Sequence, residues 1–365
     1  MPTLPDFTAR YFPLIARPRP ACAPLPARVA HLVDLSDKAA ATKNQVQASL
    51  AFNQAALLAS DIGLPELARE MCHQHASAYL HACPLDATSA KHALEPVVNL
   101  ARLQIRAARA DDGRRQLLDL FDAVSAGRAA EVDGLTIPSD LTTDTGRTDA
   151  RAWLWAVVLA DGARTHTTAG RWTDALAHME AHRGIGTRML DGRQVAVLAA
   201  LAAGTASDAE TLLADTDRGE EWEQEVTTCL TLLCRRALGK NADSLLGELV
   251  ESYDQRRVTG GLIVFNIRLG LTLLGLADAD SRTARRLVAA LHDRTIATFD
   301  GYAARECLTN PAFTRQSSAE QALDCHQVLR ASALEARVLE GSFLTALTAA
   351  LQCADGVIRD SHAGR

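Results

Sequence analysis

Apolar residues recur three and four positions apart along most of the chain, inside long segments rich in Ala, Leu, Arg and Glu. That spacing gives a helix one buried stripe, and these residue types favour helical backbone. The alternation that a half-buried strand needs is almost absent, and its best candidate is the short run 132–137. The pattern predicts an all-α protein. Ser36 and Asp37 read as the cap of a helix running towards Ile62, and Pro65 as the start of another that reaches Cys83, where Pro84 stops it. Helix pairs are read from 53–62 and 66–83 around Gly63, then from 97–110 and 116–126 around Asp111-Asp112-Gly113.

Four glycines set a period. Gly170, Gly204, Gly239 and Gly275 stand 34, 35 and 36 residues apart, a spacing characteristic of stacked helical hairpins. In the clearest case, 159–182, Ala163 is a small residue inside the first helix and Gly170 makes the turn. Trp172 follows, and Ala175 and Leu176 come one helical turn later. Small residues at these points let two antiparallel helices approach, while the indole fills the space between hairpins. The positions resemble those of the tetratricopeptide-repeat family, clearly in this hairpin and in degenerate form in the neighbouring ones, most of which lack the family's closing proline. The resemblance implies a solenoid, an α-α hairpin superhelix of about six to eight hairpins, with the first helix of each lining a concave groove.

Five regions are expected along the chain. Residues 1–27, with seven prolines, form a Pro-rich arm. N-terminal helical hairpins occupy 28–126, and 127–149 is a polar insertion loop rich in Gly, Thr, Ser and Asp. Tetratricopeptide-like hairpins fill 150–317. Helices within 318–365 cap the exposed face of the last hairpin, as terminal repeats must.

Composition narrows the functional classes. Aromatic residues are only 4%, so small apolar side chains must fill the interior, which suits close-packed helices. A formal charge of −6 and a pI near 6.0 oppose a surface built to grip nucleic acid. The basic residues are 34 Arg and four Lys, a bias resembling that of GC-rich, actinobacterial-type genomes. Eight cysteines in 365 residues are too sparse for a disulfide-stapled domain. The arm lacks the apolar stretch of a secretory leader, and the most apolar segment, 261–277, carries Asn266 and Arg268 and falls short of a membrane span. A cytoplasmic protein with reduced thiols is expected, engaging neither nucleic acid nor membrane.

Candidate chemistry is sparse. Cys72 and His75 share a helical face, with His73, His81 and Cys83 nearby. Thiolate and imidazole would suit zinc, but no second ligand pair follows at finger spacing, and core cysteines with helix histidines account for the same residues. No metal and no cofactor are expected. Asp111-Asp112 precedes Gly113 at an expected turn, where Asp is favoured at a helix start, and so few aromatics leave no wall for a cyclase pocket. Phosphate-binding loops, nucleophile elbows and zinc-protease motifs are missing. A helix-turn-helix over 59–71 is opposed by acidic Asp61, Glu66 and Glu70.

The repeat resemblance places Asn53, Asn99, Arg102, Arg106, Arg164 and Arg236 near the groove. Asn99, Arg102 and Arg106 are spaced by three and four and so form a stripe. Guanidinium forks beside Asn amides suit carboxylates and peptide backbone, and in the family such residues clamp an acidic peptide tail. The expectation is a non-enzymatic scaffold or accessory protein that holds a peptide or protein partner, for instance a precursor peptide or partner enzyme of a peptide natural-product pathway, alone or as a homodimer. One alternative is a peptide-modifying enzyme such as a cyclase, with His166 as general base beside Asp161, His178 and His182 close in sequence, and Tyr79, Tyr253 or Tyr302 as acid. Another is the sensor part of a transcriptional regulator.

Overall fold

A computed structural model describes residues 4–257 and 261–363. It is 72% helical with almost no sheet, as the periodicity predicts. The chain divides into two compact units, and neither is contiguous in sequence. Unit 1 combines Met1–Pro24 with His166–Ser332, and unit 2 combines Leu25–Thr165 with Ala333–Arg365.

In chain order, unit 1 opens with α1 (Asp6–Tyr11). Unit 2 then supplies α2 (Leu25–Thr42), α3 (Gln45–Asp61), α4 (Pro65–Leu80), α5 (Ala87–Arg106) and α6 (Ala110–Ala126). A hairpin of β1 (Ala130–Val132) and β2 (Leu135–Ile137) leads to α7 (Asp144–Val157), which passes through a π-helical turn (Val158–Gly162) into α8 (Ala163–Thr167). Unit 1 resumes with α9 (Trp172–Ala181), α10 (Asp191–Ala203), α11 (Ala206–Ala214), α12 (Glu221–Ala237), α13 (Asp243–Gln255), α14 (Ile263–Leu276), α15 (Arg282–Thr298), α16 (Gly301–Leu308), α17 (Pro311–Gln316) and α18 (Ala319–Ala331). Finally α19 (Gly341–Asp360) returns to unit 2.

Within unit 2 each helix from α2 to α7 packs on its successor, and α3 meets α5 as α5 meets α7. Within unit 1 the same holds from α9 to α17, and α10, α12, α14 and α16 form a row of next-but-one neighbours. Packing on the next helix and the next but one is compatible with a helical repeat. Leu58, Leu94, Val97, Leu117 and Leu154 join one continuous core in unit 2, while Leu198, Leu230, Ile267, Leu271 and Leu291 are buried in unit 1.

Several expected boundaries move, each for a local reason. The helix expected over 36–62 is two helices. Asn44 begins α3 by accepting from the Val46 and Gln47 N–H groups, whereas Ser36 is buried inside α2. Gly170, Gly204 and Gly239 do make left-handed turns, with φ of +68°, +83° and +67°. Gly275 does not; it lies inside α14, and a side chain there would meet Phe7. Gly113 likewise lies inside α6, where it lets the helix approach Ala101 and Ile105 of α5.

The polar 127–149 segment is a folded part of unit 2. Asp133 and Gly134 both take positive φ, 53° and 81°, the backbone of a tight two-residue hairpin turn, so the strand candidate 132–137 is not one strand but the end of β1, the turn and β2. Val132, Leu135, Ile137 and Leu141 are buried, and the Leu85 N–H donates to the Leu141 carbonyl at 2.8 Å. The Asp133 carboxylate accepts from Arg69 Nε at 2.6 Å and lies 3.1 Å from His73 Nε2.

The C-terminal helices do not act as one cap. Unit 1 holds α18, while α19 packs on α2, α3 and α4. Ser361 Oγ lies 3.0 Å from Gln45 Oε1, so the end of α19 meets the start of α3 and the two run antiparallel. Thus α19 covers the first helices of unit 2 rather than the last hairpin. Among the described residues it is the helix long and apolar enough to cross a membrane; its Leu347, Ala350, Leu351, Ala354 and Ile358 are buried. The hairpin that carries the clearest repeat pattern straddles the boundary at Thr165/His166: Ala163 is buried in unit 2, Trp172 and Ala175 in unit 1.

Candidate functional site

Four of the six predicted groove residues come together on unit 2. Asn53 is on α3; Asn99, Arg102 and Arg106 are on α5. The two helices are neighbours, and their residues pair at a steady offset. Asn99 Nδ2 donates to Asn53 Oδ1 at 3.1 Å, and Asn53 Nδ2 donates to Glu95 Oε2 at 2.7 Å. Arg102 Nη1 donates to Asn99 Oδ1 at 3.1 Å, and its Nε donates to Asp161 Oδ2 at 2.8 Å. A hydrogen-bonded line therefore runs Glu95–Asn53–Asn99–Arg102–Asp161 across α3, α5 and the π-turn. One helical turn further, Arg106 Nη1 donates to Ser60 Oγ at 2.7 Å and Asp61 Oδ1 at 3.2 Å.

The π-turn explains why Asp161 can join. Its wider winding carries an extra residue per turn and changes the direction in which the following side chains project. The Asp161 carboxylate is thereby committed to Arg102 within unit 2, while His166 belongs to unit 1, where its ring centroid lies 6.1 Å from that of His178. In unit 1 His178 lies 4.8 Å from His182. The acid–base pairing of His166 with Asp161 thus has its carboxylate engaged elsewhere. Arg164 is half-buried in α8, and Arg236 is exposed on α12 of unit 1.

Charge along the line is balanced but not evenly presented. The side chains of Arg102 and Arg106 are 46% and 43% exposed, whereas those of Asp161 and Asp61 are 25% and 2% exposed. Asp61 is further held by Arg28 at 2.8 Å. The carboxylates thus sit beneath, and the guanidinium groups reach towards solvent. After its bonds to Asp161 and Asn99, Arg102 retains an uncommitted hydrogen on each Nη, and Arg106 retains those of Nε and Nη2.

The other end of the line is Glu95, whose Oε2 lies 3.3 Å from His92 Nδ1. Burial opposes ionisation of Glu95, but bonds from His92 and Asn53 hold its carboxyl below the usual carboxylate value. His92 also lines a shallow, open depression of about 250 Å³ with Ala87, Thr88, Lys91 and Asp149, so the polar line runs into this hollow at the start of α5. None of the six predicted residues lines it. Pro96, inside α5, has no N–H to offer the His92 carbonyl one turn back.

Cys72 and His75 are core residues of unit 2, 2% and 1% exposed. Burial pushes the Cys72 thiol up to about 12 and the His75 imidazole down to about 3. His75 pairs with Ser49 Oγ at 2.8 Å and stacks on Phe52 with ring centroids 5.0 Å apart. No group of three or more His, Cys, Asp or Glu is gathered in metal-binding geometry among the described residues.

Glu95 escaped the sequence reading although it stands four residues before Asn99 and extends the same stripe backwards. Asp61 and Ser60 escaped because they face Arg106 from another helix, a contact that only the packing of α3 on α5 creates. No family model, no curated protein and no solved structure matches this chain.

Proposed function

We propose that this chain is a non-enzymatic, tetratricopeptide-like scaffold that holds an extended acidic segment of a precursor peptide or partner protein along α3, α5 and the π-turn of unit 2. The observation that carries the reading is the exposure of Arg102 and Arg106 above their own carboxylates, with fork hydrogens still to donate. A ligand carboxylate approaching from solvent meets the guanidinium groups first, and each charge-assisted bond contributes about 1.5–3 kcal/mol. The Asn53–Asn99 pair, one helical turn before Arg102, would meet the peptide backbone beside the first cation. The i, i+4 spacing of the arginines sets their separation at roughly one helical turn, about 6 Å, which suits acidic side chains on the same side of an extended chain, two residues apart.

Titration calorimetry with an Asp/Glu-rich dodecapeptide tests the reading. Arg102→Ala and Arg106→Ala should each weaken binding about tenfold or more, and raised salt should weaken the wild type more than either variant. Undiminished binding by the double variant, or no uptake of acidic peptide by the wild-type chain, overturns it.

A further inference from the structure

We infer that unit 1 contains a peptide-binding groove of its own, occupied by segment 12–24 of the same chain and able to accept a separate extended peptide of the same pattern. The inference rests on unit 1 alone and uses no part of the acidic-peptide reading.

Segment 12–24 has neither helix nor strand. Its backbone is instead held at three points by groups of unit 1. Gln194, fully buried on α10, accepts from the Leu14 N–H at 2.7 Å and donates to the Leu14 carbonyl at 3.0 Å, with a second donation to the Met189 carbonyl at 3.1 Å. The Arg19 N–H donates to the Gly261 carbonyl at 3.0 Å. Asp300, buried at the start of α16, accepts from the Cys22 N–H at 2.8 Å, and the Gly301 N–H donates to the Cys22 carbonyl at 2.8 Å. These five hydrogen bonds read main-chain N–H and C=O groups, as a groove reads an extended peptide. The Arg17 side chain also pairs with Asp191 at 2.6 Å, and the Arg19 guanidinium lies 4.9 Å from the Tyr302 ring centre.

The segment's composition matches that mode of recognition. Pro18 and Pro20 fall between the positions read and Pro13 and Pro24 flank them, and proline has no N–H left to satisfy. Its restricted backbone also lowers the entropy lost on ordering. Selectivity comes from four buried side chains, Phe12, Pro13, Leu14 and Cys22: an aromatic–proline–aliphatic triplet, then a small residue eight positions after the aliphatic one. At the Cys22 end the wall is Gly301, where a side chain would strike Ser332 and press on the Cys22 sulfur. Between the two anchor points Arg17, Pro18, Pro20 and Ala21 are exposed, so the chain can be opened there without touching Leu14 or Cys22.

The test uses the full chain with a protease recognition sequence inserted between Pro20 and Ala21, cut after purification. A fluorescein-labelled peptide carrying residues 6–20 is added, and anisotropy and far-ultraviolet circular dichroism are followed together. The labelled peptide should replace the cut segment with the helical signal unchanged. The same peptide N-methylated at Leu14 should bind at least tenfold more weakly, because Gln194 loses its donor and meets a methyl group. This comparison leaves the protein unaltered and stands even where Gln194→Ala fails to fold. Absence of exchange, exchange only with loss of helical signal, or equal binding of the N-methylated peptide overturns the inference. Arg102→Ala should leave the exchange unchanged, which separates failure here from failure of the acidic-peptide reading.

Discussion

His75 is held in the interior of unit 2 by one hydroxyl and one aromatic face, with its imidazole pushed down to about 3 by burial. A histidine in the unfolded chain takes up its proton near 6.5. Between those two values the unfolded state binds a proton that the native state refuses, so stability falls as pH drops through that window, by up to about 1.4 kcal/mol per pH unit. Above the window the residue contributes no slope. His75→Gln keeps a hydrogen-bonding partner for Ser49 and removes the titration. Urea midpoints at pH 7 and pH 4.5 should therefore lie closer together in the variant, and an unchanged difference would show that His75 does not govern acid sensitivity.

Where α5 meets α6, Gly113 is the close point. An added methyl would lie 2.5 Å from the Ala101 carbonyl oxygen and 2.6 Å from Ile105 Cγ1, so the helices must part. Gly113→Ala should lower stability by about 1–3 kcal/mol despite the better helix propensity of alanine, and thermal melting would show it. The same residue marks the limit of what the chain discloses by itself. A glycine between the acidic pair Asp111-Asp112 and the basic pair Arg114-Arg115 reads equally as a turn or as a contact, and only the neighbouring helix decides. Helical content and the turns at Gly63, Gly170, Gly204 and Gly239 were legible because periodicity and left-handed backbone are local properties. The stripe of Asn99, Arg102 and Arg106 was legible for the same reason. Its partners Asp61 and Asp161, the antiparallel return of α19 and the side chain–backbone anchors of segment 12–24 were not, since each joins residues remote in sequence through packing.

Both compact units are assembled from two separated stretches of chain, so neither can be excised as a single contiguous piece. Residues 25–165 alone leave the faces of α2 and α3 that Leu347, Leu351 and Ile358 cover. That fragment should show a broad, non-cooperative melt, and joining 333–365 to it through a flexible linker should restore a sharp transition; a cooperative melt for 25–165 alone would refute this. Segment 12–24 faces the same separation during synthesis. Leu14 precedes its Gln194 anchor by 180 residues, and Cys22 precedes Asp300 by 278. At about 5–20 residues per second the ribosome needs roughly 15 s to a minute to bridge the longer interval. Throughout that wait the prolines serve a second purpose: a stretch that can neither wind into a helix nor complete a strand ladder stays out of premature pairings until its own groove exists.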